Sequence, residues 1–224
     1  MYSREIEQHK SSLKLSDALR ETLVGLLLGD AHLETQNRGR TYRVKLEYSA
    51  ERQEYVNHLY VLFQDWVLTP PQLKADHTHN NLWFQTVSHP AFRFYAHLFY
   101  KEGRKGVPRN VRKLMSARSI AYWYMDDGSV KSRESKGVIF NTHCFKRNEV
   151  QQLTEVLRAQ FQLEASEREQ KDGIQIYVSG KSYERFREIV DPHLHPSMLY
   201  KIPVDRKHKC LNGNGGVQRS ARSE

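Results

Sequence analysis

Cysteine is nearly absent: the 224 residues hold two, Cys144 and Cys210. They lie far apart and form no CxxC pair, so neither a disulfide framework nor a zinc ribbon is indicated, and both read as reduced thiols. Long apolar runs are also missing; none approaches the roughly 20 residues a membrane span needs. The first ten residues, MYSREIEQHK, have no apolar signal core, and their acids argue against a transit peptide. The expectation is a protein that stays in the compartment where it is made. Acids are outnumbered, 26 against 35 Lys plus Arg, for a formal charge of +9 and a pI near 9.5. Such an excess suits a polyanion, either nucleic acid or an anionic membrane, although an ordinary basic protein has the same composition. The histidines are scattered. The close pair His77-x-His79 sits in a polar stretch, Asp76 to Asn81, and reads as a solvated loop rather than a metal site.

What is present is a hydrophobic fraction of 38%, enough for a core, and an internal repeat. Leu23 to Ala31 reads LVGLLLGDA and Ile120 to Gly128 reads IAYWYMDDG. Both are apolar segments that end in Asp. Each follows a helix-start signal, Ser16-Asp17 or Ser116, because these side chains accept bonds from free backbone N–H groups. After the first comes Thr41–Ser49, whose strict alternation predicts a half-buried strand with Tyr42, Val44, Leu46 and Tyr48 on one face. A helix is expected from about Glu51 to Leu68, stopped by Pro70-Pro71. Strands follow around Gln72–Lys74 and Leu82–Val87, then a helix opening at His89-Pro90.

The second half runs in the same order. Val138–Cys144 reads as a strand and Glu149–Phe161 as a helix. Leu163–Arg168 and Ile174–Val178 read as a hairpin around Asp172-Gly173, and Tyr183–Val190 as a helix. The fold class is therefore α+β, a duplicated αββαββα unit over about residues 16–114 and 115–203. Residues 204–224 are basic and Gly/Asn-rich and are expected to be disordered.

Asp30 and Asp127 stand at the C-terminal ends of the two apolar helices, where free carbonyls already carry partial negative charge. Asp126 adds a second acid beside Asp127. One such aspartate is ordinarily a solvated residue; two at matching places in a repeat point to a cation held by carboxylates and carbonyls, the ligand set of Mg²⁺. Gly25-x-x-x-Gly29 would let the two helices approach closely, bringing Asp30 and Asp127 together. Paired carboxylates at a shared point can hold metal for phosphodiester chemistry. A lysine keeps the same register: Lys105 follows Asp30 by 75 positions and Lys201 follows Asp127 by 74. Such lysines could stabilise charge on phosphate or act on the attacking water.

The polar strand faces suit double-stranded DNA. Arg43, Lys45 and Glu47 lie on one and Gln175 and Tyr177 on the other. Arg104 and Arg109 belong to Lys101–Arg118, which carries seven basic residues and one acid and suits phosphate contact. Lys131 and Asn141 complete the candidate DNA contacts.

LVGLLLGDA and IAYWYMDDG resemble the two motifs of LAGLIDADG homing endonucleases, with Asp30 and Asp127 at the acidic position next to the end. The likeness continues through TYRVKLEY, DWVLTPP, FNTHCF and PSMLYKIP, from about Ser16 to Pro203, and is greatest to the monomeric two-motif members encoded in mitochondrial introns. The resemblance implies a saddle of two repeats with the motif helices at their interface. It implies Mg²⁺, with Mn²⁺ as a substitute, bound by Asp30 and Asp127 with help from the carbonyls of Gly29 and Asp126. Lys105 and Lys201 would be the active-site lysines. The expected product is a double-strand break across the minor groove of a long site, with short 3′ overhangs, and the expected role is mobility of the host intron, in an organelle if the gene is organellar. Two departures stand out: Ala31 replaces the terminal glycine of the first motif, and Tyr122 occupies the place of Gly25, so asymmetric helix packing is expected. The rival readings are a maturase that binds intron RNA on the same fold and a DNA-binding protein without catalysis. A membrane-surface protein would need a basic amphipathic helix that the sequence lacks.

Overall fold

The structure, a computed structural model, describes residues 3–75 and 80–203. His77, His79, Cys210 and the 204–224 tail lie outside the described residues. A short helix, α1 (Ser3–Ser12), precedes the repeats.

The first motif forms α2 (Asp17–Leu28). It starts where the Ser16 hydroxyl accepts the Leu19 amide at 3.2 Å. Leu23, Leu26, Leu27 and Leu28 are fully buried. Each such side chain contributes roughly 1.5–3 kcal/mol relative to exposure. Strands β1 (His32–Glu34) and β2 (Arg43–Ser49) follow, then α3 (Gln53–Leu62), β3 (Gln72–Ala75), β4 (Asn80–Gln85) and α4 (Arg93–Phe99). A small hairpin, β5 (Tyr100–Lys101) with β6 (Arg104–Lys105), and the single turn α5 (Val111–Leu114) lead to the second repeat. There the second motif forms α6 (Ala117–Asp127), opened by a reciprocal capping box between Ser116 and Ser119. Then come β7 (Gly128–Val130), β8 (Val138–Asn141), α7 (Arg147–Phe161), β9 (Ala165–Gln170), β10 (Gly173–Val178) and α8 (Tyr183–Val190).

Duplication is visible in the topology. One antiparallel sheet has the order β1-β2-β4-β3 and the other β7-β8-β10-β9, the same order. Each sheet buries one face, with Val44, Leu46, Tyr48 and Phe84 in the first and Val138, Phe140, Ile176 and Val178 in the second. Period-two alternation leaves Arg43, Lys45 and Glu47 on the opposite face. Among the described residues no helix is long and apolar enough to cross a membrane.

The two motif helices pack directly together. Gly25 is what permits this: a Cβ there would strike the Ser119 carbonyl and lie 2.8 Å from the Tyr122 Cβ. Glycine on α2 thus faces tyrosine on α6, the asymmetry that the two motifs imply.

The helix expected over Glu51–Leu68 is shorter in the structure. Residues Ala50–Arg52 and Gln64–Trp66 form tight 3₁₀ turns on either side of α3. The second turn brings the Trp66 ring onto Phe92 (4.9 Å) and edge-on to His89 (5.2 Å), burying an indole that a continued α-helix would direct elsewhere. The start of the basic stretch after α4 forms a hairpin whose turn places Glu102 and Gly103 at φ 52° and 77°.

Candidate active site

The site forms where α2 and α6 end side by side. The side chain of Asp30 comes close enough to those of Asp126 and Asp127 that its charge disfavours theirs. Burial, and then the negative charge of Asp30, pushes the Asp127 carboxyl up to about 7. Asp126 is 4% exposed and is pushed well above the carboxylate range, first by burial and then by Asp30. Asp30 is more open and has Arg52 at 3.7 Å.

The lysines that share the repeat register also share a structural role. Lys105, on β6, donates its Nζ to the carbonyls of Gly29 (2.5 Å) and Ala31 (2.8 Å). Lys201 donates to those of Met125 (2.6 Å) and Asp126 (2.8 Å). Each cation therefore sits on the negative end of a motif helix, the end favoured by the helix dipole. Lys201 is 7% exposed, and its backbone is tied down by the Tyr124 hydroxyl, which donates to the Lys201 carbonyl at 2.6 Å. Burial, helped by the Arg52 charge, lowers its ammonium to about 8. Burial also lowers that of Lys105.

A cleft of about 350 Å³ opens at the Asp127–Lys201 side of this arrangement, lined by Arg52, Asp126, Asp127, Asn141, Tyr200 and Lys201 among others. Arg52 carried no signal in the sequence. It lies in a 3₁₀ turn after β2; packing within the first repeat brings it to Asp30, and the crossing of the two repeats brings it to Asp127 and Lys201. Asn141, a candidate DNA contact, lies beside Asp127. Its amide donates to the Asp127 carbonyl at 2.8 Å and its Oδ1 accepts from Gln175 at 2.8 Å.

Among the described residues no three His, Cys, Asp or Glu side chains form a ready metal cage. The donors present are nonetheless all hard oxygens: two carboxylates carrying poorly compensated negative charge, with the Gly29 and Asp126 carbonyls beside them. Each carbonyl oxygen has a second lone pair beyond the one its lysine uses. That set fits Mg²⁺ or a similar cation, with the remaining positions filled from outside the protein.

The other candidate residues form a polar layer on the sheets. Arg43 pairs with Glu34 at 2.8 Å, and Lys45 lies 3.9 Å from Glu34 and 3.5 Å from Glu47. Glu47 also accepts from Lys74 and Asn81. On the second sheet the Arg168 guanidinium stacks 3.4 Å over the Tyr177 ring, with Lys131 at 5.4 Å. Arg104 and Arg109 are exposed, near the hairpin that carries Lys105.

The profile of the LAGLIDADG DNA endonuclease family matches residues 20–186, most of the chain and both motifs. The chain belongs to this family. Among its LAGLIDADG relatives, the "Probable intron-encoded endonuclease 1" of Wickerhamomyces canadensis is 32% identical, over 89% of this chain and 90% of its own length. The solved structure of the homing endonuclease I-WcaI bound to its DNA recognition sequence superposes with a TM-score of 0.85 at 29% identity, covering 91% of this chain and 94% of that one. A cytochrome b mRNA maturase, bI2 of Saccharomyces cerevisiae, is 28% identical over 80% of this chain and 46% of its own length. The fold class and family implied by the two motifs are thus the observed ones.

Proposed function

We propose that this LAGLIDADG protein is a homing endonuclease: it acts as a monomer on one long double-stranded DNA site and cuts both strands by hydrolysis that depends on a divalent cation, Mg²⁺ with Mn²⁺ as a substitute. The observation that carries the proposal is the paired construction of the site. Asp30 and Asp127 end two packed helices, and each helix end is capped by a lysine. Two half-sites of one design suit a substrate with two strands. The likeness to I-WcaI, itself bound to DNA, supports the substrate.

The cation, when bound, supplies Lewis acidity and a more acidic attacking water. Asp30 and Asp127 would each hold a divalent cation in its own half-site, with the Gly29 and Asp126 carbonyls as further donors. Lys105 and Lys201 stay within reach of the phosphate and stabilise the charge that grows on it as water adds to phosphorus and the sugar oxygen leaves. Lys201, with an ammonium near 8, can also exchange a proton close to neutral pH. Arg52 adds a fixed positive charge over the cleft. The polar sheet faces, through Arg43, Lys45, Glu47, Gln175 and Tyr177, read the flanking sequence, while Arg104, Arg109 and Lys131 contact phosphates. Residues 16–114 and 115–203 serve as the two halves. The product is a break across the minor groove with short 3′ overhangs, and the role is spread of the host intron in an organellar genome.

The match to a maturase favours a second reading, binding of intron RNA on the same fold. Selection of a DNA library on the protein, followed by cleavage with Mg²⁺ and with Mg²⁺ chelated, separates the two. Metal-dependent breaks at one recurring sequence are expected. Specific binding to intron RNA with no specific DNA site would overturn the proposal in favour of the maturase.

A further inference from the structure

The two helix ends do not hold their aspartates in the same way. In α6 the helix continues through Asp127, and the next amide, that of Gly128, still bonds to the Tyr124 carbonyl. In α2 the ladder breaks two residues earlier. Gly29 N–H bonds to the Gly25 carbonyl, but Ala31 N–H reaches back to Leu26. The Asp30 amide between them donates instead to the Asp126 Oδ2, at 3.1 Å, across the repeat interface.

The carboxylate that receives this bond is itself caged. Tyr48, on β2, donates to it at 3.2 Å, and Tyr55, on α3, at 3.0 Å. Both tyrosines are buried, and their rings meet edge-on at 5.6 Å. Asp126 thus reaches from the second repeat into a pocket made by the first. Space for it exists because the matching position of the first motif is Gly29, where a Cβ would fall 2.5 Å from the Asp126 Cβ. The arrangement runs one way only, since a glycine cannot return the favour to Asp127.

We infer that the Asp126 side chain, held by Tyr48 and Tyr55, is a positioning residue for Asp30. It replaces the helix carbonyl that the Asp30 amide has lost and so fixes the backbone from which the Asp30 carboxylate projects. This role is separate from any use of the Asp126 carbonyl, which lies on the backbone. It rests on the proposed endonuclease reading for its catalytic consequence, but not for its structural one. Its signature is asymmetry: loosening it disturbs the Asp30 half-site and spares the Asp127 half-site, which the helix itself supports.

The test compares Asp126→Ala, Asp126→Asn and the double variant Tyr48→Phe/Tyr55→Phe with the wild type, by two readouts. The first is amide hydrogen exchange at Asp30. Protection is expected in the wild type and in Asp126→Asn, which keeps an acceptor oxygen, and is expected to be lost in Asp126→Ala. The second is single-turnover cleavage of a target with each strand labelled separately. Asp126→Ala should slow one strand by about 10- to 100-fold, the cost of a modest misplacement of a reacting group. The other strand should change much less, so nicked DNA accumulates. Asp126→Asn should restore most of the rate, and the tyrosine pair should show the same strand bias in weaker form. If Asp126→Ala does not fold, the Asn and tyrosine variants carry the comparison. Equal slowing of both strands, or an Asp30 amide that exchanges as freely in the wild type as in the variants, would overturn the inference. A wild type that protects Asp30 but cuts nothing would refute the endonuclease reading and leave the positioning bond standing.

Discussion

Lys201 donates to the backbone carbonyl of Asp126 at 2.8 Å, and so neutralises the end of the very helix that delivers Asp127 to the cleft. Lys105 does the same for Gly29 on the other motif helix. A lysine that binds carbonyls tightly is a structural cap, and the proposed function makes it also a cation acting on the substrate; these roles separate on mutation. In Lys105→Met and Lys201→Met the stem is retained and the charge is lost. Single-turnover cutting should fall by about 100- to 1,000-fold, the usual loss for one charge-stabilising group. DNA affinity measured without metal should change only severalfold. A loss confined to affinity would refute the catalytic role.

Carboxylates that are poorly compensated in the free protein should be relieved by a cation. Mg²⁺ should raise the thermal midpoint of the wild type, by RT ln(1 + [L]/Kd) in free-energy terms, about 2.7 kcal/mol at 100 times Kd. Chelation should reverse it. In Asp127→Asn the shift should largely vanish, as differential scanning calorimetry would register.

How much of this was legible in the chain depends on where each interaction is encoded. The alternation in Arg43–Ser49 and the Ser16 and Ser116 caps are local, so strand β2 and the two motif helices follow from sequence, whereas β1 and β7, three residues each, are too short to show an alternation. Asp30, Asp127 and the two lysines were visible because the repeat doubles each signal. Tyr48 and Tyr55 have no counterpart signal, since only the packing of one repeat on the other brings them to Asp126, and Arg52 meets Asp30 through the tertiary packing of the first repeat itself. The split of the Glu51–Leu68 helix was hidden for the same reason, since burial of Trp66 against Phe92 is a tertiary preference that overrides a helical stripe.

A third prediction concerns pH and lies away from the cleft. His58 bonds to the Tyr122 hydroxyl at 2.8 Å, and its ring lies 4.5 Å from that of His195, tilted by 32°, joining the two repeats. Burial, then the neighbouring His195 and Arg118, lowers its pKa to about 4. Between about pH 6.5 and 4 the unfolded chain binds a proton that the folded protein refuses, so stability rises with pH through that window and is lost as pH falls. Discounted for its partial exposure, the effect is on the order of 1 kcal/mol. Urea unfolding at pH 4.5 and 7 should show His58→Gln to be less pH-sensitive than the wild type; an unchanged pH dependence would contradict this.

The polar sheet layer yields a fourth. Lys45 is held between Glu34 and Glu47 and lies 5.6 Å over the Trp83 ring. If it touches a phosphate, Lys45→Ala should weaken binding to all sequences alike and reduce the slope of log K against log salt by about 1. If it reads a base, the loss should instead be confined to one position of the site. Binding titrations over a salt series on cognate and substituted sites distinguish these outcomes, and no change in either would remove Lys45 from the DNA interface.

The most direct test of the central claim is strand-resolved cleavage of the selected DNA site in Mg²⁺ by the wild type, Asp30→Asn and Asp127→Asn at matched fractional binding. The account predicts complete double-strand cutting by the wild type, abolished by chelation, and no double-strand product from either variant despite nearly unchanged affinity. Full double-strand cutting by either variant, or by the wild type without divalent metal, would contradict it.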